Sequence, residues 1–330
     1  MSKVVVRFNQ WYDPAMAERF ARESDIELRT VEREGADDKA LAALGEAHAF
    51  QISSAKDELP KRWFVTDALL ERCPKLLCIS SNGAGYDTID VAACTAKGIL
   101  VVNQAGGNAQ SVAEHAIGLM LDVTRKISLN DRLLRRERGF SREDIMGREM
   151  SGKVLGLVGI GHIGTRVARL ARAFDMTVLA VDPYLTEEEI GRRGAKAVSF
   201  DDMLAQSDFV SLHCPRDKDT LKMMDAAAFG KMKKGAVFVT TARGGIHDEA
   251  ALVQALQSGH LAGAGLDVVA PEPLPPESPL WSMPNVLITP HVAIHGAPYR
   301  QHWEDILLEN CRRFAAGAPL LNVVDKEKWF

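Results

Sequence analysis

Gly156-Leu157-Val158-Gly159-Ile160-Gly161-His162-Ile163-Gly164 decides how this chain is read. The run Val154–Val158 is apolar and of strand length. After Ile163 the apolar residues Val167, Leu170, Ala171 and Phe174 recur at helical spacing. The three glycines at 159, 161 and 164 therefore stand where a strand turns into a helix. Gly159 permits a tight turn, Gly161 leaves bare backbone for an anionic group to approach, and Gly164 lets the helix pack on the strand. The helix N-terminus then offers N–H groups and its dipole to the pyrophosphate of a dinucleotide, next to His162 and Ile163. A lone GxGxxG is a weak signal; its strand-to-helix context gives it weight. The next strand, Thr177–Val181, ends before Asp182, whose carboxylate can accept hydrogen bonds from ribose hydroxyls and repels a 2′-phosphate. That favours NAD over NADP, and Arg192 and Arg193 lie too far downstream to reverse it. Three other readings stay open: a turn that binds nothing, a nucleoside-binding methyltransferase, and Asp182 as a strand-end cap.

Working outward, strand-like runs at Phe209–Leu212, Ala236–Thr240, Gly263–Asp267 and Val286–Ile288 bring the second half to six strands, one doubly wound dinucleotide domain. The first half alternates in the same way, with strands at Val4–Phe8, Glu27–Val31, Ala49–Ser53, Leu76–Ser80 and Leu100–Val102 and helices such as Pro14–Arg22 and Asp67–Cys73. Between the halves, Ser111 to about Arg136 reads as one long amphipathic helix with Ser111 as its N-cap. The run Pro271-Glu272-Pro273-Leu274-Pro275-Pro276 can be neither helix nor central strand and reads as a rigid loop. The closing helix near Arg300–Ala316 is expected to return to the first domain. The fold class is α/β: two doubly wound (Rossmann/flavodoxin-like) domains, one inserted in the other. The outer domain takes residues 1–103 plus 297–330, and the inserted one 104–296.

For 330 residues, an apolar fraction of 46% with 25% charged residues is the balance of folded chains, not of disordered or fibrous ones. A net charge of −4 argues against nucleic acid, since phosphate backbones need clustered Lys and Arg, and the stretch Arg132 to Arg142 reads as a solvated helix end. No run approaches the roughly 20 apolar residues of a membrane span. The start has too short an apolar run for a signal-peptide core, so a cytoplasmic protein is expected. The five cysteines, Cys73, Cys78, Cys94, Cys214 and Cys311, show no metal-site spacing and read as free thiols, and no metal is expected.

Three segments fall at strand ends of the inserted domain, where open parallel sheets bind ligands. They are Thr240-Thr241-Ala242-Arg243-Gly244-Gly245, the stretch from Gly265-Leu266-Asp267 to Glu272-Pro273, and Thr289-Pro290-His291. With them the chain closely resembles the D-isomer-specific 2-hydroxyacid dehydrogenase family. The likeness covers nearly its whole length. It takes in Gly83-Ala84-Gly85-Tyr86-Asp87, Ser111-Val112-Ala113-Glu114-His115, His213-Cys214-Pro215 and Ser278-Pro279-Leu280-Trp281.

The resemblance implies an NAD-dependent oxidoreductase that interconverts a small 2-oxo acid and its D-2-hydroxy acid. His291 would be the acid/base, because imidazole titrates near neutrality. Glu272 would favour its imidazolium, or alternatively cap the proline loop. Arg243 offers a planar fork to the carboxylate and ketone oxygens. By the same likeness the backbone around Ala84 and Gly85 serves the substrate carboxylate and Asp267 accepts from the nicotinamide amide. Ser111, Cys214, Pro215 and Thr241 lie along the cofactor, and the long helix forms the core of a homodimer. The chain departs from the family at Arg216-Asp217 and at Val292-Ala293-Ile294-His295, so its substrate site is expected to be unusual. His295 and His302 either line it or lie on a helix surface, and Ser54, Lys56 and Trp11-Tyr12 are weaker candidates to face C3 of the substrate. Two rivals remain: an NAD-sensing corepressor-like binding protein, and a formate or phosphite dehydrogenase. Formate enzymes of the family pair the histidine with Gln, so Glu272 speaks against that one.

Overall fold

The structure, a computed structural model, describes residues 2–10, 14–54, 56, 58–136, 139, 141–294 and 299–324. The chain divides into two compact units, Met1–Asn108 with Ala297–Phe330, and Ala109–Gly296. Trp11, Tyr12 and His295 lie outside the described residues.

The first unit contains β1 (Lys3–Phe8), α1 (Pro14–Phe20), β2 (Ile26–Val31), α2 (Asp37–Gly45), β3 (Ala49–Ser53), α3 (Asp67–Leu70), β4 (Cys78–Asn82), α4 (Val91–Ala96) and β5 (Leu100–Val102). Its parallel sheet runs β2-β1-β3-β4-β5, the flavodoxin-like order. One face packs Val4, Val6, Phe50, Ile52 and Trp63. The other takes Leu307, Leu308 and Cys311 from the closing helix Tyr299–Ala316 against Val5, Phe20 and Val102. Residues beyond β5 are tied to this unit: Gln104 exchanges hydrogen bonds with Gly83, its N donating to Gly83 O (2.8 Å) and its Oε1 accepting from Gly83 N (3.1 Å).

The second unit contains α5 (Ala109–Arg125), α6 (Ile127–Arg136), β6 (Val154–Val158), α7 (His162–Arg172), β7 (Thr177–Val181), α8 (Glu187–Arg192), β8 (Lys196–Ala197), α9 (Phe200–Gln206), β9 (Phe209–Leu212), α10 (Ala226–Lys231), β10 (Ala236–Thr240), α11 (Glu249–Gln257), β11 (Leu261–Leu266) and β12 (Val286–Ile288). Its sheet runs β12-β11-β10-β9-β6-β7-β8. The order reverses between β6 and β9, so their C-terminal ends open the crevice where such sheets bind ligands. Seven strands replace the six expected, because β8 is a two-residue edge strand too short to show a pattern. Strands β9 and β10 are buried along their whole length, as their near-continuous apolar sequence requires when both faces are covered.

The single long helix is corrected. It starts at Ala109, so Ser111 is inside its first turn and not its N-cap. It breaks at Lys126, which adopts φ 55°, and Asp122 restarts the chain by accepting from Ser128 N (2.9 Å) and Oγ (2.7 Å). A one-residue left-handed break leaves the apolar spacing on both sides intact, so periodicity does not reveal it.

Candidate active site

At the end of β6 the chain turns at Gly159, φ 87°. A Cβ there would stand 2.9 Å from the carbonyl of His213 at the end of β9, and one on Gly164 only 2.3 Å from Gly159 O. A Cβ on Gly161 would meet nothing within 4 Å. Two glycines thus close the turn on its own protein, and the third leaves the N-terminus of α7 bare. Asp182 is more than a strand-end acceptor: its carboxylate accepts from Ile160 N (3.0 Å) and Tyr184 N (3.1 Å), bracing the turn. Arg193, which sequence distance alone sets aside, returns to the same turn and donates to Ile160 O (2.8 Å). Burial, with Arg166 and Arg193 nearby, pushes the pKa of His162 down. Burial also holds Cys214 as a thiol, its pKa raised to about 11, so it is no nucleophile at neutral pH. Beside it Pro215 O accepts from Thr220 Oγ1 (2.8 Å). Beyond β10, Thr241 is buried and its Oγ1 has no hydrogen-bond partner among the described residues. A bare helix N-terminus, a strand-end carboxylate and an orphaned hydroxyl on one sheet edge fit a dinucleotide.

Strands β10, β11 and β12 are neighbours, so the segments after them emerge side by side. Nδ1 of His291 lies 3.3 Å from Oε1 of Glu272. The two side chains keep 25% and 31% of their exposure, enough for a small molecule to reach them. Burial opposes charge on His291, and so does Arg243, but the hydrogen bond and charge of Glu272, joined by the weaker pull of Asp267, outweigh both, and the imidazole pKa is raised. Arg243 is half-buried and also donates to Ala242 O (2.8 Å). The guanidinium of Arg243 and the carboxylate of Glu272, both anticipated from the sequence, are therefore each within electrostatic reach of the His291 imidazole.

Both loops have carboxylate anchors, one buried and one half-buried. His291 adopts φ 54°, a conformation costing a side-chain-bearing residue about 1–2 kcal/mol. Asp267, 1% exposed, holds it there. Its carbonyl accepts from His291 N (2.9 Å), and its carboxylate accepts from Thr289 Oγ1 (2.6 Å), Val292 N (2.9 Å) and Ala293 N (2.9 Å). The acceptor role toward a cofactor amide that the resemblance implies thus competes with this engagement inside the protein. The loop of Glu272 is held by Glu249, whose Oε1 accepts from Ala270 N (2.9 Å) and lies 3.0 Å from Nε2 of the buried His247.

In the first unit, Gly83 turns at φ 83°. Asn103 Nδ2 donates to Ala84 O (2.9 Å), and Ser81 Oγ donates to Gly85 O (2.6 Å). Among the described residues the amides of Ala84 and Gly85 take no acceptor. Ser54 lies near this turn, and Lys56 is exposed. His302 is exposed on the closing helix, with Nδ1 3.3 Å from Gly107 O.

The family model for the NAD binding domain of D-isomer specific 2-hydroxyacid dehydrogenases matches residues 117–293. This chain belongs to that family. Its second unit is the family's NAD-binding domain. A D-3-phosphoglycerate dehydrogenase of Archaeoglobus fulgidus is 42% identical over 257 residues, 78% of this chain and 49% of that protein. The chain spans about half the length of the D-3-phosphoglycerate dehydrogenases it matches. A glyoxylate reductase from Paecilomyes thermophila superposes with a TM-score of 0.86 at 32% identity, covering 99% of both chains. A D-lactate dehydrogenase from Aquifex aeolicus, solved with NAD and lactic acid, gives 0.80 at 26% identity, covering 98% of this chain and 97% of that one.

Four residues of the site went unassigned in the sequence of this family member: His115, Thr289, His247 and Glu249. Thr289 stands two residues from His291 and carried no role of its own. His115 and His247 carry no catalytic assignment from the sequence, and Glu249 none at all; in the structure Glu249 follows the Asp248 N-cap of α11. His247 meets Glu249 only two residues away, but the contacts of His115 with Thr289, of Thr289 with Asp267 and of Glu249 with Ala270 span 21 or more residues, so no local signal marks them.

Proposed function

We propose that the protein interconverts a small 2-oxo acid and its D-2-hydroxy acid with NAD(H), through Arg243, Glu272 and His291. The observation that carries this reading is the His291–Glu272 pair, with Arg243 close enough to affect its charge, on the edge of an NAD-binding domain. NADH, when bound, supplies the hydride for C2. Arg243 grips the carboxylate and ketone oxygens with a two-pronged contact, which orients the acid and stabilises charge growing on the ketone oxygen. His291 faces Glu272 with Nδ1 and offers its Nε2 proton to that oxygen. Glu272 keeps the imidazole charged until the proton leaves. In the oxidative direction the neutral imidazole takes the hydroxyl proton back. For the cofactor we assign Gly159, Gly161, His162, Ile163 and Gly164 to the pyrophosphate, Asp182 to the adenosine ribose, and Ser111, Cys214, Pro215, Thr241 and Asp267 along its length. The amides of Ala84 and Gly85 carry donors of the kind a carboxylate needs. Purified protein with NADH and glyoxylate, pyruvate or hydroxypyruvate should lose absorbance at the NADH band with at least one acid. No turnover with any 2-oxo acid would overturn the enzymatic reading.

We further propose a homodimer. Helix α6 buries none of its residues, and Ile127 and Leu134 on it, with Met146 beyond, stay exposed. A second copy covering them accounts for apolar groups that a monomer leaves in water. Sedimentation at a monomer mass would remove the proposal. No helix among the described residues is long and apolar enough to cross a membrane. Five free cysteines suit a reducing compartment, and we assign the protein to the cytoplasm.

A further inference from the structure

Helix α5 and strand β11 meet through two matched stripes. On the helix, His115, Leu119 and Val123 follow one another at four-residue spacing. On the strand and just past its end, Gly263, Gly265 and Asp267 share one face. A Cβ on Gly263 would stand 2.6 Å from Val123 Cγ1, and one on Gly265 2.8 Å from Leu119 Cβ. The bare strand face lets the helix settle directly on the backbone, and this brings His115 level with Asp267. There Nε2 of His115 lies 2.9 Å from Thr289 Oγ1, which in turn is 2.6 Å from Asp267 Oδ1.

The direction of this chain follows from proton counting. The Asp267 carboxylate receives the N–H groups of Val292 and Ala293 and can only accept, so Thr289 gives it its single hydroxyl proton. Thr289 is then left to accept, and Nε2 of His115 must carry a hydrogen. Asp267 also accepts His291 N through its carbonyl, so one residue brackets the left-handed turn at His291 from both sides.

We propose that His115 is a positioning residue for the reaction: its Nε2–H, acting through Thr289 and Asp267, holds the turn that points the His291 imidazole at Glu272. The proposal rests on the reading of His291 as the proton donor. Leu at 115 removes the donor and Gln keeps an N–H near the same place. Val at 289 removes the hydroxyl and Ser keeps it.

The experiment measures kcat with a 2-oxo acid at saturating NADH, the KM for NADH, and the titration of the His291 ring by NMR in cofactor-free protein. It compares His115→Leu, His115→Gln, Thr289→Val, Thr289→Ser, the His115→Leu/Thr289→Val double variant and His291→Ala. His115→Leu and Thr289→Val should each lower kcat by about 10- to 100-fold, the scale of a small misplacement of a reacting group. The double variant should lose no more than either single change, because both cut one chain. The KM for NADH should hold, Gln and Ser should restore most of the rate, and the His291 midpoint should fall in the Leu and Val variants as the ring drifts from Glu272. Wild-type kcat with an unmoved His291 titration in His115→Leu overturns the proposal, as do losses that multiply in the double variant or a Gln variant no better than Leu. If His291→Ala abolishes turnover while His115→Leu does not, only the role of His115 fails. If His291→Ala leaves turnover intact, the reading beneath it fails too.

Discussion

The two sides of the ligand-binding edge of the seven-stranded sheet are built differently. Around β6 and β9 the working parts are backbone: Gly159, Gly161 and Gly164 clear the way, and Asp182 and Arg193 brace the turn through peptide groups. Around β10, β11 and β12 the candidate working parts are side chains, and each carrying loop hangs from a carboxylate inside the fold, the buried Asp267 under His291 and the half-buried Glu249 under Glu272. A site made of backbone must be contiguous, since consecutive N–H groups have to face one anion. A site made of side chains can gather residues from three strands, provided something inside the fold fixes each loop. On the proposed reading, binding and chemistry rest on separate supports, and changes can be aimed at one without the other.

Replacing His291 by Ala should test that separation most sharply. Turnover should fall by about 10²–10⁴-fold, the usual contribution of a positioned acid/base, while NADH affinity by fluorescence titration is retained. An equal loss of NADH affinity would mean that the two sides are not independent. On the other side, Gly164→Ala forces a methyl against Gly159 O and should cost about 1–3 kcal/mol in denaturant unfolding. Gly161→Ala meets no protein atom within 4 Å and should leave stability unchanged while weakening NADH. If both alanines destabilised equally, the bare approach at Gly161 would not be a ligand feature.

The smallest effect sharpens the chemistry. Glu272→Gln removes the larger of the two charges that raise the His291 pKa, leaving burial and Arg243, which lower it, opposed by Asp267 alone. In the proposed reduction His291 donates as the imidazolium, so the rate should fall as pH rises through that pKa. In the Gln variant the alkaline fall of kcat/KM should start at lower pH, and an unmoved limb would separate Glu272 from His291. The raised pKa also bears on folding. Its stabilisation is fully present below the ordinary value of 6.5 and is lost as pH rises through the raised one. His213 has the opposite sign. Burial lowers its pKa to about 4, so the stability it contributes is present above 6.5 and is lost as pH falls from 6.5 toward 4.

Much of the molecule was legible before folding was considered. The glycine spacing set the β6–α7 turn because only glycine tolerates φ 87° at 159 and a backbone oxygen 2.3 Å from a Cβ at 164. Alternating apolar runs marked most strands, since burial on both faces leaves few residue types free. The placing of Arg243, Glu272 and His291 after neighbouring strands was legible, because each follows an apolar run and strand ends carry the ligands of such sheets; the roles proposed for them are for the variants above to test. The break at Lys126, the edge strand β8 and the return of Arg193 to the glycine turn left no periodic trace.

Sequence by itself determined which chemical groups this protein owns and on which strand ends they sit, because those facts follow from local conformation and periodicity. Only the tertiary structure decided what holds them. His115 meets Thr289 and Glu249 meets Ala270 across long stretches of chain, and such meetings depend on how closely a helix can approach a strand face. Here two glycines on β11 set that approach, and nothing local to His115 could have announced it.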